Sequence, residues 1–413
     1  MPNILIIAYY FPPLGGAGVQ RSLKFVKFLP TFNWQATVLT VHENTNTLKD
    51  ITLLNDIPVH TNIYRTWIPL LPKSIPWRVR NWISRWFFVV DEQLGWFPFA
   101  IRNGLNIIKS ENIQAIYSSS GPYTCHLIGR FLKQKSGLPW IADFRDPWIG
   151  NITSSYPTLL HDKLNSGFER SVIHDSDAIV VVSQPMRQAF LDSYTNIKID
   201  KIQVIPNGYD PEDFINVKPA IRNLNKFTIV YSGSFYSLGR TAENFLLGLN
   251  HSIDNRSIPR ESIEVSFIGN ISKLTRQQIN SLNLRDVVKC TGYLSHEESI
   301  SHLLCSDILL LVVGSGRGSE AIYTGKLFEY LAARKPILAL ANPGVASQLI
   351  ETTQAGVVIS PDNIPEISNQ ITHFYNLWQN NNLYYFGDSK IISQYARKKL
   401  TGELVQILNK VIK

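Results

Sequence analysis

Short apolar runs and amphipathic runs alternate along this chain from beginning to end, and that alternation limits the folds open to it. Asn3 to Ala8 reads as a strand buried on both faces. Val19 to Leu29 reads as a helix with Leu23, Val26 and Leu29 on one side, and Gln35 to Val41 as the next strand. Ile113 to Ser118, Pro139 to Asp143, Ala178 to Ser183 and Ile202 to Ile205 continue the series. A helix from about Tyr123 to Lys135 follows the first of these. Such a series implies α/β architecture, with parallel sheets joined by right-handed crossovers. The pattern stops at Pro206-Asn207-Gly208-Tyr209-Asp210-Pro211, a turn-rich break, and starts again. The second series runs Phe227 to Tyr231, Glu264 to Ile268, Val287 to Cys290, Ile308 to Val313, Pro336 to Leu340 and Gly356 to Ile359. Ser389 to Ile412 reads as one final helix, with Leu400, Leu404, Ile407 and Val411 on its apolar side. The expected architecture is two Rossmann-like, doubly wound domains facing a central cleft.

Length and composition agree with two domains. A chain of 413 residues is too long for one typical core, and 44% hydrophobic with 17% charged residues belongs to a folded globular protein. Three cysteines (Cys125, Cys290 and Cys305) are few and far apart. They offer neither a disulfide framework nor a zinc spacing, and they fit a reducing compartment. Ile4 to Ala8 has no basic residues before it and Pro12-Pro13 soon after, so it is not a signal peptide. No apolar run approaches the roughly 18–20 residues that a membrane span needs. A cytoplasmic location is expected. The net charge of +8 fits nucleic acid, an anionic membrane face or phosphorylated substrates. No RNA-binding signature is present, so nucleic acid is set aside.

Residues 67–88 stand apart. Trp67, Trp77, Trp82, Trp86, Phe87 and Phe88 lie among Lys73, Arg78, Arg80 and Arg85. Aromatic rings and cations together suit the inner face of an anionic membrane, which makes that surface a candidate partner. The alternative is a surface helix packed on its own domain by the same aromatics.

Several motifs fall at the carboxyl ends of expected strands, where α/β sheets bind ligands. Gly15, Gly16 and Gly18 follow the first strand, where glycine lets backbone approach a ligand closely. A dinucleotide loop needs G-x-G-x-x-G. Here Arg21 stands at the third glycine, so Glu43 makes a poor ribose acid for NAD. His126 lies at a helix start after the Ile113 strand. There it can hydrogen-bond a sugar hydroxyl, or it is a satisfied structural histidine. Asp143, Arg145 and Asp146 leave the end of the next strand together. One of the carboxylates can serve as acid or base; the alternative is an internal Asp–Arg pair. Asp175-Ser176-Asp177 has the form of a metal-holding D-x-D, but it precedes its strand and reads as a turn. No metal is expected.

In the second half, Ser232-Gly233-Ser234 and Arg240 follow the first strand, and a glycine bend with an Arg there can hold a diphosphate. Gly292-Tyr293-Leu294-Ser295-His296 offers a resting place for a nucleobase. Gly325 and Lys326 open a helix whose free N–H groups favour a phosphate, and Glu329 one turn in can accept bonds from a pair of sugar hydroxyls. The competing reading is an ordinary amphipathic helix with a solvated glutamate.

Taken in order, these stretches resemble the retaining glycosyltransferase family 4, of GT-B fold, over nearly the whole chain. The matching segments are YYFPPLGGAGVQR, SSSGPYTCHLIGR, PWIADFRDPW, VIPNGYD, YSGSFY, FIGN, TGYLSHEES and GKLFEYLAARKPIL. The resemblance implies an acceptor-binding domain over residues 1–205, a nucleotide-sugar-binding domain over 206–385, and a last helix, 386–413, returning to the first domain. It implies metal-independent transfer with retained anomeric configuration, from a nucleotide-sugar co-substrate to a glycan or lipid-linked acceptor. The donor-binding residues it implies are Gly15, Gly16, Gly233, Arg240, Tyr293, Gly325, Lys326, Leu327 and Glu329. His126, Asp143 and Asp146 are the catalytic candidates. Two departures stand out: Ala321 replaces the first glutamate of the family's E-x7-E, with Glu320 one residue out of register, and the Arg…Lys pair after Gly233 is reduced. The reading is a glycosyltransferase of surface polysaccharide assembly. Its rivals are a nucleotide-sugar epimerase of the same build, which needs cleft carboxylates as acid and base, and a non-catalytic sugar-binding protein.

Overall fold

The computed structural model describes residues 1–43, 48–69, 72, 74–150, 156–215, 217–235, 241–314, 318–321 and 323–412. The chain divides into two compact units, one of Met1–Asn207 with Arg397–Lys413, the other of Gly208–Ala396.

In the first unit, seven parallel strands form one sheet: β1 (Asn3–Ile7), β2 (Gln35–Val41), β3 (Asn62–Thr66), β4 (Ile113–Ser119), β5 (Trp140–Phe144), β6 (Ala178–Val181) and β7 (Ile202–Val204). Their order is β3-β2-β1-β4-β5-β6-β7. β1 pairs with β2 on one side (Ile4 beside Ala36) and with β4 on the other (Leu5 beside Ile116). The strand order therefore reverses between β1 and β4, which opens a crevice at their carboxyl ends. β1, β4 and β5 are buried on both faces, as expected of central parallel strands covered by helices. β3 was not foreseen; its residues are only partly buried, so it lacks the continuous apolar run that marks a central strand.

The second unit repeats the scheme with β8 (Phe227–Ser232), β9 (Ile263–Ile268), β10 (Val288–Gly292), β11 (Ile308–Val312), β12 (Ile337–Leu340) and β13 (Gly356–Ile359). All pair in parallel, in the order β10-β9-β8-β11-β12-β13. Here the order reverses between β8 and β11.

The C-terminal segment differs from the expected single helix. A short helix Ser389–Ile392 and a tight turn Ser393–Tyr395 end at Ala396, whose extended backbone breaks the run before the helix Arg397–Val411. Ile392 is buried in a core of the second unit, whereas Leu400, Leu404 and Leu408 are buried in the first. The return to the first unit thus begins at Arg397 rather than at 386. The helix is held there by Gly402 against the Phe32 ring and by a bond from Trp34 Nε1 to Asn409 Oδ1 at 3.3 Å.

Candidate functional site

In the first unit the residues picked out in the sequence gather at the β1/β4 reversal. Gly16 precedes the helix Ala17–Phe28 with a φ of 93°, a conformation that favours glycine. The Gly15 amide donates to Leu48 O at 2.7 Å, so it is committed to the protein itself. Arg145, at the end of β5, ties the neighbouring loops together. Its guanidinium donates to the carbonyls of Gly18 (2.6 Å), Ser120 (2.6 Å) and Gly121 (2.9 Å). A side chain on Gly121, which has a φ of 74°, would come within 2.6 Å of that guanidinium. Glycine at 121 and arginine at 145 are therefore two halves of one brace.

Asp143 is not available for acid or base work. It is fully buried, and its two oxygens receive Arg21 Nη2 at 2.7 Å and Nε at 2.8 Å, Tyr117 Oη at 2.6 Å and Ser119 Oγ at 2.9 Å. Arg21 goes on to the carbonyls of Ile205 and Pro206, both at 2.9 Å. Burial pushes the Asp143 carboxyl up, but the Arg21 charge and the donated hydrogen bonds outweigh it and hold the group below the usual range. The internal Asp–Arg pair is thus real, with Arg21 and not Arg145 as partner. This also accounts for an arginine at the third-glycine position of the first loop. Asp146, two positions beyond the end of β5, is exposed.

His126 is fully buried in the first turn of the helix Thr124–Ser136. Its ring lies 4.4 Å from that of Phe144. Nδ1 is 2.8 Å from Ser118 Oγ, which also accepts from Trp140 Nε1 at 2.8 Å. An indole N–H can only donate. A hydroxyl has one donor and two acceptor sites, so the Ser118–His126 bond fits either neutral tautomer. Burial pushes the His126 pKa down to about 3, which keeps the ring neutral. Nε2 is buried with no hydrogen-bond partner among the described residues. A buried polar atom left unmet costs free energy, so His126 is neither a fully satisfied structural histidine nor an exposed one. Gly129 makes the arrangement possible: a side chain there would come within 2.5 Å of Trp140 Nε1. The helix start is capped by Asp91, which accepts from the Thr124 amide at 2.9 Å and hydroxyl at 2.6 Å. The distance in sequence between Asp91 and Thr124 gave no sign of this cap.

Asp175 and Asp177 lie at the amino end of the sheet. Asp177 accepts from the Trp140 amide at 2.7 Å, and Asp175 pairs with Arg130 at 2.6 Å. They brace a turn, as the sequence implied.

In the second unit the residues gather at the β8/β11 reversal. Gly233 and Gly269 end β8 and β9 with φ of 133° and 118°, and a side chain on Gly269 would overlap the Gly233 carbonyl. Gly233 in turn lies against Lys326, whose ammonium sits 3.8 Å from the centre of the Tyr231 ring. The helix Gly325–Ala333 thus starts with its cation held over the glycine bend. Thr324 precedes it, 5% exposed, with an Oγ1 that has no partner among the described residues. Gly325 is exposed, and nothing lies within 4 Å of where its side chain would be.

Glu329 is about one-fifth exposed, and its Oε1 accepts from His296 Nε2 at 3.1 Å. It is therefore a held carboxylate, not a solvated one, and its second oxygen retains its acceptor capacity. The other ring nitrogen of His296 is 3.9 Å from Asp213. His296 was noted only as part of a loop. A histidine 33 residues from the glutamate it holds leaves no local signal. Tyr293 is 39% exposed at the end of β10. Leu327 must be corrected: its side chain is fully buried in the core and its amide bonds Thr324 O at 3.0 Å, so neither is free for a donor. Arg240 lies outside the described residues. Glu320 bonds the Gly318 amide at 2.9 Å.

The comparisons with known proteins agree with the two-domain α/β fold. The model of Glycosyltransferase Family 4 matches residues 69–213, and that of Glycosyl transferases group 1 matches residues 248–399. No curated protein matches the chain in sequence. Among solved structures, sucrose-phosphate synthase from Thermosynechococcus elongatus has a TM-score of 0.71 at 13% identity, covering 99% of both chains. HepE of Anabaena, solved in complex with UDP-glucose, has a TM-score of 0.68 at 14% identity, again covering 99% of both. A putative UDP-N-acetylglucosamine 2-epimerase from Listeria monocytogenes has a TM-score of 0.63 at 10% identity, covering 98% of this chain and 95% of its own.

Proposed function

The chain is a glycosyltransferase of GT-B type, and we propose that it moves a sugar from a nucleotide-sugar donor to a glycan or lipid-linked acceptor, with retained anomeric configuration, in surface polysaccharide assembly. The observation that carries the donor half is the cluster at the β8/β11 reversal. A glycine bend lies under a lysine ammonium, a helix opens with Gly325 beside it, and a carboxylate stands one turn in. Positive charge and open amides fit a diphosphate, and Glu329 fits a ribose diol. Lys326 and the helix end supply the positive charge, so the reading calls for no metal. HepE binds UDP and UDP-glucose in its crystals, which makes uridine nucleotide sugars the first donors to test.

The first unit is assigned to the acceptor, and the buried Nε2 of His126 is assigned to a sugar hydroxyl. A neutral imidazole suits hydrogen bonding to a hydroxyl rather than general acid chemistry at neutral pH. The epimerase reading loses ground. It asks for two carboxylates that can trade protons, and Asp143 is fixed to Arg21.

The test is a panel of nucleotide sugars screened by thermal shift, followed by transfer assays with the anomeric configuration of the product read by NMR. A uridine nucleotide sugar should raise the unfolding temperature. Glu329→Gln should weaken that nucleotide by about 10- to 100-fold, since a charged hydrogen bond contributes roughly 1.5–3 kcal/mol and each 1.4 kcal/mol is tenfold. Equal affinity of wild type and variant would remove Glu329 from the site. Binding of no nucleotide sugar would overturn the reading.

A further inference from the structure

The aromatic and basic stretch 67–88 has no part in the proposed transfer, and the structure gives it a shape that the sequence did not. Trp77–Phe87 is a helix. Val79, Trp82 and Trp86 repeat at a three- then four-residue spacing, so they share one stripe. That stripe faces outward: Trp82 is 56% exposed and Trp86 44%, with Trp77 at 70% and Trp67 at 59% nearby. A surface helix ordinarily turns such a stripe toward its own core. Arg78 and Arg85, seven residues apart, flank the stripe on one side and are exposed, and Arg80 is partly exposed. No acidic residue occurs between Trp67 and Val90. Lys73 and the side chains of Asn81 and Phe87 lie outside what the structure describes.

The alternative, that these rings pack the helix onto its own domain, accounts for part of their surface only. Trp67 meets Phe99 edge-on at 4.9 Å, and Trp86 meets His161 edge-on at 6.2 Å. The Arg78 guanidinium lies over the Trp77 ring at 5.8 Å, and all four tryptophans keep 44–70% of their surface exposed. The contact with His161 matters for a second reason. His161 Nε2 lies 3.3 Å from the Trp86 carbonyl, and Asn165 donates to Val89 O at 2.7 Å. These bonds set the end of the tryptophan helix beside the first turns of the helix Leu159–Asp175. There Leu159 (80%), Leu160 (63%) and Leu164 (40%) are also exposed.

We propose that this two-helix face docks on an anionic lipid bilayer. Soluble monomers rarely leave so much contiguous apolar surface in water. Tryptophans settle at headgroup depth, leucines reach the acyl boundary, and arginines meet lipid phosphates. A protein partner would ask for an apolar groove with charges of both signs around it. Here the charge on the tryptophan helix has one sign, and on the second helix the exposed Asp162 and Lys163 offset each other. The inference does not depend on the sugar-transfer reading.

The test is co-sedimentation of the full chain with vesicles of phosphatidylcholine, with and without phosphatidylglycerol, at low and high salt. Binding should require phosphatidylglycerol and weaken with salt. Replacing Arg78, Arg80 and Arg85 together by Gln should lower the partition coefficient roughly 100-fold, with each cation contributing about 1 kcal/mol. Leu160→Ser with Leu164→Ser should weaken binding without changing its salt dependence, which tests the second helix separately. Four of the five side chains are exposed and Arg80 is partly so, so the unfolding temperature should stay put in both variants. Failure to bind anionic vesicles, or binding unchanged in the arginine variant, overturns the proposal. Binding unchanged in the leucine variant overturns the two-helix face. Capture of single-stranded RNA in place of vesicles also overturns it.

Discussion

Replacing Asp143 by Asn should destabilise the first unit rather than disarm a catalyst in a folded one. The wild-type carboxylate takes four donated bonds, two from Arg21 and one each from Tyr117 and Ser119, all between 2.6 and 2.9 Å. Asparagine offers one acceptor oxygen and one NH2 group, so at least one donor meets another donor. The Arg21 guanidinium, 1% exposed, is left with its charge uncompensated. Breaking a buried pair by removing one partner costs roughly 3–5 kcal/mol, a large share of the roughly 5–15 kcal/mol that keeps a domain folded. For a unit of this size each kcal/mol lowers the unfolding temperature by about 2–4 °C. A drop of about 6–20 °C should therefore appear in the first transition of a calorimetric scan. Arg21→Met should cost a similar amount, and the double variant much less than the sum, because neighbours in one network are not additive. The pair also sets an acid limit. Its stability is fully present above the unfolded carboxyl pKa of about 3.9 and is lost as pH falls through the lower folded value. An Asp143→Asn protein that melts like wild type yet fails to turn over would refute this account and return Asp143 to catalysis.

His126 should give the protein a second, separate pH dependence. Its folded pKa is lowered to about 3, so below about 6.5 the unfolded chain takes up a proton that the folded one refuses. Stability should be highest above pH 6.5 and fall toward pH 3, by at most about 1.4 kcal/mol per pH unit. His126→Gln should flatten that slope in a series of thermal melts; an unchanged slope would mean that the ring is not buried as described. Gly269→Ala should destabilise the second unit by about 1–3 kcal/mol, because a side chain at a φ of 118° would overlap the Gly233 carbonyl. Gly325→Ala, with open space around it, should leave stability unchanged and weaken nucleotide binding, and calorimetry with titration separates the two effects.

The sequence by itself determined the architecture. Central strands such as β1, β4 and β11 are buried on both faces, so their continuous apolar runs are visible without any knowledge of neighbours. The break at residues 206–211 separates the two series because glycine and proline punctuate chains locally. Positions at strand ends followed from the same periodicity, which is why His126, Gly233, Lys326 and Glu329 could be named. Tertiary structure alone decided which of these side chains were already spent. Asp143 and Arg21 are 122 residues apart, and Glu329 and His296 are 33 apart. Charges meeting across a fold leave no mark on local spacing, so a catalytic candidate and a bracing residue look alike until the partners are in place. The last helix shows the same limit. Its apolar positions keep helical spacing through Ala396, but a period says only that a face is buried, not in which core. Ile392 went to one unit and Leu400 to the other, and the chain had to break between them.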